Sequence, residues 1–498
     1  MNDYPLALLL TALVFVLTTY WYGRSRYASI YHPVTMYLAF HGFVFVIRPI
    51  YTYLAGDHFI YLNFGFFPSE STKLTALAIA NVGLLAFVLA CVKTGSAPLA
   101  FKQDARDARS RAHLIQPFLL VALILGPLAI YSLISTGESW STMRFDRATG
   151  TTINTAANGW VSDAQQMLVP LAAVFAWLLR FRLLGLLPLI AFVLARAGTG
   201  GRGPVVVVCV GAGLLWLFDR RRRWPTGRML VLAVLLLLAF HAVGADRGAS
   251  IRTTLYGEQT IHYGSDPRNS GLLSGMDFAN LEFLEWIVDT VPDKTGTYGY
   301  FVDNLQVFTE PIPRKLWPGK PIGAPIKLLD FSSQKRIYGM TASLPGVGWM
   351  QLGLWGVILW CGLWGAGLGY VYSRFVRSKQ GNFEVAAYFA FLPIFVIAYR
   401  DGVVITVLKN SVFYLGTIAA WVAAARVMGV RDPAPARRAA LAPRSRREGW
   451  APWPEAAVRA ARAAAAAAAV PRARRRVDAT PQIVPRAWRH RDPARPAE

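Results

Sequence analysis

Charged side chains are scarce in this 498-residue chain. Asp, Glu, Lys and Arg make up 16% of it, where a soluble globular protein has about 25%. Acidic residues are scarcest, 28 against 52 Lys and Arg. Cysteine is rarer still: Cys91, Cys209 and Cys361 all lie in apolar runs, and that spacing excludes a disulfide framework and a zinc site. The G-x-x-x-x-G-K-[ST] phosphate loop, the H-E-x-x-H metalloprotease helix and the G-x-S-x-G nucleophile elbow are all missing. No D-x-D pair is present to hold a metal-bound nucleotide sugar, and His241 and His262 have no partner in register. No metal or cofactor is therefore expected, and an enzyme built from this chain needs a substrate that arrives already activated.

What the chain has in abundance is apolar length. A helix needs roughly 20 apolar residues to cross a bilayer. Eleven candidate spans run near 4–22, 33–55, 74–93, 114–135, 161–179, 183–196, 203–218, 229–245, 346–372, 384–399 and 402–427. The first lacks a basic flank and a small-residue cleavage site, so it reads as a helix and not as a signal peptide. The sixth and seventh are short and read either as two crossings or as one re-entrant hairpin. With the N-terminus outside, the inner loops hold seventeen basic residues and the short outer loops six, namely Lys73, Arg144, Arg147, Arg196, Arg202 and Arg400. Basic loops face the cytoplasm. The expected fold is thus an all-α polytopic membrane protein with a periplasmic N-terminus, a cytoplasmic C-terminus and the lipid bilayer as a partner. Its charge belongs to membrane loops, not to a nucleic-acid-binding face.

The pattern divides the chain into four parts. Residues 1–245 form a bundle of about eight helices, and residues 346–427 add about three more. Between them, residues 246–345 form a large outer loop. It has aromatic residues throughout and a helical stretch from Leu281 to Asp289, with Phe283, Leu284, Ile287 and Val288 on one face and Glu282, Glu285 and Asp289 on another. It is expected to fold as a cap on the outer surface. Residues 428–498 hold sixteen Arg and six acidic residues among Ala and Pro, including the run Ala463 to Ala469. Such a composition cannot bury a core and reads as a disordered tail, either dispensable or resting on anionic lipid.

The candidate chemistry is arginine at the outer face. Arg196 and Arg202 bracket a turn with three glycines, where two guanidinium forks can grip phosphate oxygens; the alternative is an interfacial turn with snorkelling arginines. Arg400 and Asp401 form nearly all of the turn between the last two spans, either a stop signal or a second cation beside the same cavity. Arg247 and Arg252 open the large loop at that face, Arg252 reading equally as a solvated charge. Arg48 lies inside the second span, either in a structural ion pair or as a ligand. The stretch Thr309 to Pro321 carries four prolines, which fix an irregular path, together with Trp317, Arg314, Lys315 and Lys320. It is a rigid connector or part of the cationic surface.

The string Ile312-Pro-Arg-Lys-Leu-Trp-Pro-Gly-Lys-Pro321 resembles the IPR-x-LWP-x-KP segment of the Wzy-type O-antigen (oligosaccharide repeat unit) polymerases, where it also sits late in a large periplasmic loop. The Gly201-Arg202-Gly203 turn resembles their SRG/SRT turn, with Gly201 in place of serine. The resemblance extends to the organisation of residues 1–427 and is specific in the proline-tryptophan segment. It implies a GT-C-type glycosyltransferase of the bacterial inner membrane, acting on an oligosaccharide repeat carried by undecaprenyl pyrophosphate, with a chain-length regulator protein as a further partner. A growing chain would move from its carrier onto the non-reducing end of an incoming repeat. Under that resemblance Arg202, Arg247 and Arg400 take the catalytic role of stabilising the departing diphosphate, while Arg196, Arg252, Arg314 and Lys320 bind substrate. Candidate bases for the acceptor hydroxyl are His262, Glu285, Asp303 and Glu310. A ligase of related kind would use the same arginines. A lipid-linked oligosaccharide flippase and a scaffolding subunit are the rivals, although a flippase calls for internal repeats and none is evident.

Overall fold

In hydrocarbon every backbone polar group needs an internal partner, so apolar runs of this length become helices. The computed structural model describes residues 3–102, 107–139, 143–146, 151–154, 160, 163–198, 202–231, 278–312, 316–317, 319–321, 324–329, 331 and 341–430. The helices are α1 (Tyr4–Gly23), α2 (Pro33–His41), α3 (Arg48–Ala55), α4 (Phe59–Phe64), α5 (Glu70–Gly95), α6 (Ile115–Ser139), α7 (Leu168–Leu178), α8 (Leu183–Gly198), α9 (Arg202–Asp219), α10 (Asn280–Thr290), α11 (Gln306–Thr309), α12 (Ser343–Arg377), α13 (Asn382–Phe391), α14 (Ile394–Asp401) and α15 (Val404–Val427). A π-helical stretch, Gly42–Ile47, joins α2 to α3. Starts follow local chemistry: Ser69 caps α5 by accepting from the Thr72 amide at 3.1 Å, and the His32 ring caps α2 ahead of Pro33.

The chain is a helical polytopic membrane protein. Among the described residues seven helices are long and apolar enough to cross a membrane, and three shorter apolar ones, Ala164–Leu178, Leu183–Arg196 and Gly203–Asp219, stand where the fifth, sixth and seventh spans are expected. The eighth, 229–245, falls mostly outside the described residues. Large apolar side chains point outward all along the bundle: Leu9 is 66% exposed, Leu123 73% and Trp355 77%. Water would not tolerate so much apolar surface, and lipid does. The all-α expectation holds apart from one short hairpin. Met143–Asp146 and Thr151–Asn154 form an antiparallel hairpin, β1 with β2, in the loop after α6. The polar, threonine-rich strand of this loop cannot bury a helix face, and two short strands satisfy each other's backbone instead.

The tightest helix pair is α5 with α12. Glycines make it possible: a Cβ on Gly365 would collide with the Phe87 carbonyl, and one on Gly369 with the Cys91 carbonyl. Two backbones thus lie against each other, the small-residue packing that lipid-embedded helices use.

Helix α12 is not continuous. Leu352 and Gly353 leave helical geometry, Gly353 at φ 59° and ψ −140°. The carbonyls freed on the near side do not go unpaired. Gly299 N–H donates to Met350 O at 2.9 Å and Tyr300 N–H to Gln351 O at 3.1 Å, while the Gln351 side chain accepts from Phe301 N–H. A break inside an apolar helix stands because a loop backbone fills its hydrogen bonds.

The two ends of the bundle carry different ionic groups. At one, buried Arg111 makes two bonds to Asp219 at the end of α9 (2.8 and 2.7 Å), a third to Asn382 at the start of α13 (3.0 Å), and lies 3.9 Å from the Trp177 ring at the end of α7. Trp177 closes the set by donating to Asp219 at 2.9 Å. Four helices meet in this knot. Helix α8 runs back along α7 from there: Gly185 lies against Ala176, and Arg196 reaches Gln165 just before α7. Arg196 therefore stands at the opposite end.

Gly369→Val, which drives a side chain into the α5 backbone, lowers stability by at least about 1–3 kcal/mol, the usual cost of overpacking. Gly362→Val, at a position with open space around it, changes little. Thermal unfolding of the two variants in detergent measures the difference.

Candidate functional site

The end away from Arg111 gathers two sets of polar side chains. The first surrounds α10. The sequence pattern makes this helix amphipathic, with its acidic side toward solvent. Instead it is buried on nearly every face, Glu282 and Glu285 included, because it is lodged among α5, α12 and the end of the second span. Arg48, 1% exposed, forms an ion pair with Glu282, so the structural option for this arginine is the one observed. The Tyr61 hydroxyl donates to Glu285 Oε2 at 2.5 Å. The Lys73 ammonium sits 5.1 Å from the rings of both Tyr4 and Tyr61. At the start of α10, Asn280 donates to Thr341 Oγ1 and to the Arg400 carbonyl, each at 3.1 Å. Burial, with the Glu282 charge added, pushes the Glu285 carboxyl up to about 8. Among the described residues Glu285 is fully buried, so as seated here its carboxyl does not reach the surface. The segment read as a surface cap is in this part a wedge inside the bundle.

The second set is built around Lys409, on the inner side of α15. Its ammonium lies 2.6 Å from Glu310 Oε1 and 3.5 Å from Asp163 Oδ2. Lys320 reaches the same place, donating to the carbonyls of Glu310 (2.9 Å) and Ile312 (3.2 Å) and standing 3.8 Å from the Glu310 carboxylate. Trp160 donates to the Glu310 carbonyl at 3.3 Å. Close along the chain from Asp163, Gln165 accepts from Arg196 at 2.6 Å and Gln166 from the Tyr414 hydroxyl at 3.3 Å. Lys320 and Lys409 thus share Glu310, and Arg196 is bonded to Gln165, two residues along the chain from Asp163, the other partner of Lys409. Desolvation works upward on Glu310, but Lys409, with Gln306 and Lys320 beside it, outweighs that and holds the carboxyl below its ordinary range.

Of the residues singled out from the sequence, Arg196, Lys320 and Glu310 come together here. Arg400 stands at the same end, 4.0 Å from Asp401 and tied through its carbonyl to α10. The backbone of Arg202 opens α9, six residues past Arg196, while its side chain, like Arg247, Arg252, His262 and Arg314, lies outside the described residues. Asp303 is bonded to Gln351 beside the break in α12, and burial raises its carboxyl. Four prolines predict an irregular path from Thr309 to Pro321, and turns follow α11 there. Lys409 and Asp163 lie outside the set of arginines that the loop charges single out. The signal was present: a lysine within an apolar span is a functional candidate on energetic grounds alone.

Removing one partner of the Arg48–Glu282 pair strands a buried charge. Arg48→Met is expected to cost about 3–5 kcal/mol, and the double variant Arg48→Met/Glu282→Leu to recover much of it. Unfolding midpoints of both in the same detergent provide the check. No family model, curated protein or solved structure matches the chain.

Proposed function

We propose that this protein is a membrane glycosyltransferase that polymerises oligosaccharide repeat units carried on undecaprenyl pyrophosphate, at the outward face of the bacterial inner membrane. The observation that supports it most is the convergence of Arg196, Lys320 and Lys409 at one end of an apolar bundle, beside the segment whose proline-tryptophan pattern resembles the Wzy-type polymerases. Lys409 and Lys320 meet the carboxylates of Glu310 and Asp163 here, and a substrate diphosphate offers the same cations negative charge in exchange.

In the reaction the bond between the anomeric carbon of the growing chain and the carrier's phosphate oxygen breaks, and its electron pair stays on the diphosphate. A hydroxyl of the incoming repeat forms the new glycosidic bond and gives up its proton to a carboxylate. Arg196, Arg202, Lys409 and Arg400 hold the diphosphate and stabilise the charge that develops as it leaves. Lys409 rests on Glu310 and Asp163, and exchanging those partners for phosphate oxygens frees a carboxylate to receive the proton. The leaving group is already a good one, so neither ATP nor a sugar nucleotide enters.

The test is the length distribution of lipid-linked glycan in cells carrying Lys409→Ala or Arg202→Ala. Loss of one such contact lowers the rate on the order of a hundredfold, so long chains disappear while a single repeat is still made and transferred. Loss of every repeat, the first included, identifies flipping as the affected step. An unchanged ladder identifies a scaffold. A product that depends on a different acceptor, with chain length intact, identifies a ligase.

A further inference from the structure

We propose that Glu285 is a proton-held latch: a proton on its carboxyl keeps α10 seated between α5 and α12, and loss of that proton weakens the seat.

The geometry carries the argument. Glu285 is fully buried, and Glu282, three residues earlier on the same helix, is 6% exposed. Two carboxylates so spaced share one face of a helix. One oxygen of each, Glu285 Oε1 and Glu282 Oε2, has no hydrogen-bond partner. Among the described residues, the charged and titratable groups around Glu285 are Glu282 on α10, Arg48 on α3, Lys73 on α5, Tyr61 on α4 and Tyr4 on α1. Arg48 forms an ion pair with Glu282 and Lys73 stands over aromatic rings; both favour a charged Glu285, but burial and the Glu282 charge outweigh them. From α12 the wall is uncharged, with Gly346 set against Leu284 and Ile287. An ionised Glu285 would have one hydrogen bond, from the Tyr61 hydroxyl, and beyond it only the charges of Lys73 and Arg48 to replace water. A buried carboxylate in that position is best kept neutral.

The direction in pH follows from linkage. A free glutamate titrates near 4.5 and the seated one near 8, so between these values the seated helix binds a proton that the released helix does not. The equilibrium for releasing α10 therefore rises with pH through this window, about tenfold per unit, and levels off above it. Because Asn280 touches both Thr341 and the Arg400 carbonyl, release of α10 reaches the Arg400 turn. None of this rests on the proposed transferase chemistry.

Hydrogen exchange of the protein in detergent, followed by mass spectrometry from pH 5 to 9 and corrected for intrinsic rates, reads the latch. In the unmodified protein, protection of α10 peptides is expected to fall by about three decades from pH 5 to 8 and then flatten. Glu285→Gln is expected to abolish the slope. Tyr61→Phe and Lys73→Met, each removing support for the ionised form, are expected to carry the fall to higher pH, and they keep the test open if the glutamine variant does not fold. Flat protection in the unmodified protein, an unaltered slope in Glu285→Gln, or an unmoved upper limit in both Tyr61→Phe and Lys73→Met overturns the proposal. So does an equal slope in peptides of α15, which would make Glu285 a determinant of the whole fold and not of this helix.

Discussion

A charge inside an apolar wall must find its opposite there, and the pairing of Arg48 with Glu282 meets that constraint across 234 residues of chain. The arginine arrives on a helix that begins near the N-terminus, the glutamate on a helix from the large loop. Neither is stable in its place alone. Their union fixes where the loop enters the bundle, and with it the register of everything the loop carries: Glu285 against Tyr61, Asn280 against the Arg400 turn, and the backbone at Gly299 and Tyr300 against the gap in α12. The loop is held by polar contacts with specific partners, so its position is defined more sharply than apolar packing alone would define it.

The helices themselves were legible in the sequence because the requirement for some twenty apolar residues leaves little freedom. The spans expected at 4–22, 33–55, 74–93 and 402–427 correspond to helices at Tyr4–Gly23, Pro33–Ala55, Glu70–Gly95 and Val404–Val427. The helix expected from Leu281 to Asp289 is present at Asn280–Thr290. Its environment was not legible. Glutamates at 282 and 285 read as a solvated face by periodicity, since the pattern of a segment says nothing of an arginine two hundred residues away. The break at Gly353 was hidden for a related reason: the run around it is apolar and glycine-rich, and only the loop amides that meet Met350 and Gln351 show which glycine carries the turn.

The candidate site was half legible. Arginines flanking the short turns stand out because the charge pattern assigns them to the side that basic residues avoid, and Arg196 lies at the end of the bundle away from Arg111. Lys409 escaped notice because it lies inside a span and so belonged to no loop in the charge comparison. Asp163 and Glu310 mean little until tertiary structure brings them to the same ammonium. Counting charge by loop finds which end of a bundle is cationic; finding which cations share a ligand requires the contacts.

The knot around Arg111 has a mechanical consequence. Four helices are bound there by a guanidinium with carboxylate, amide and ring partners, so their feet are clamped together. Rods clamped at one tip move only by pivoting, and the amplitude grows with distance from the fulcrum. The far tips carry the start of α7, beside which Gln165 accepts from Arg196, and the opening residue of α9, so a small tilt about Arg111 becomes the widest displacement there.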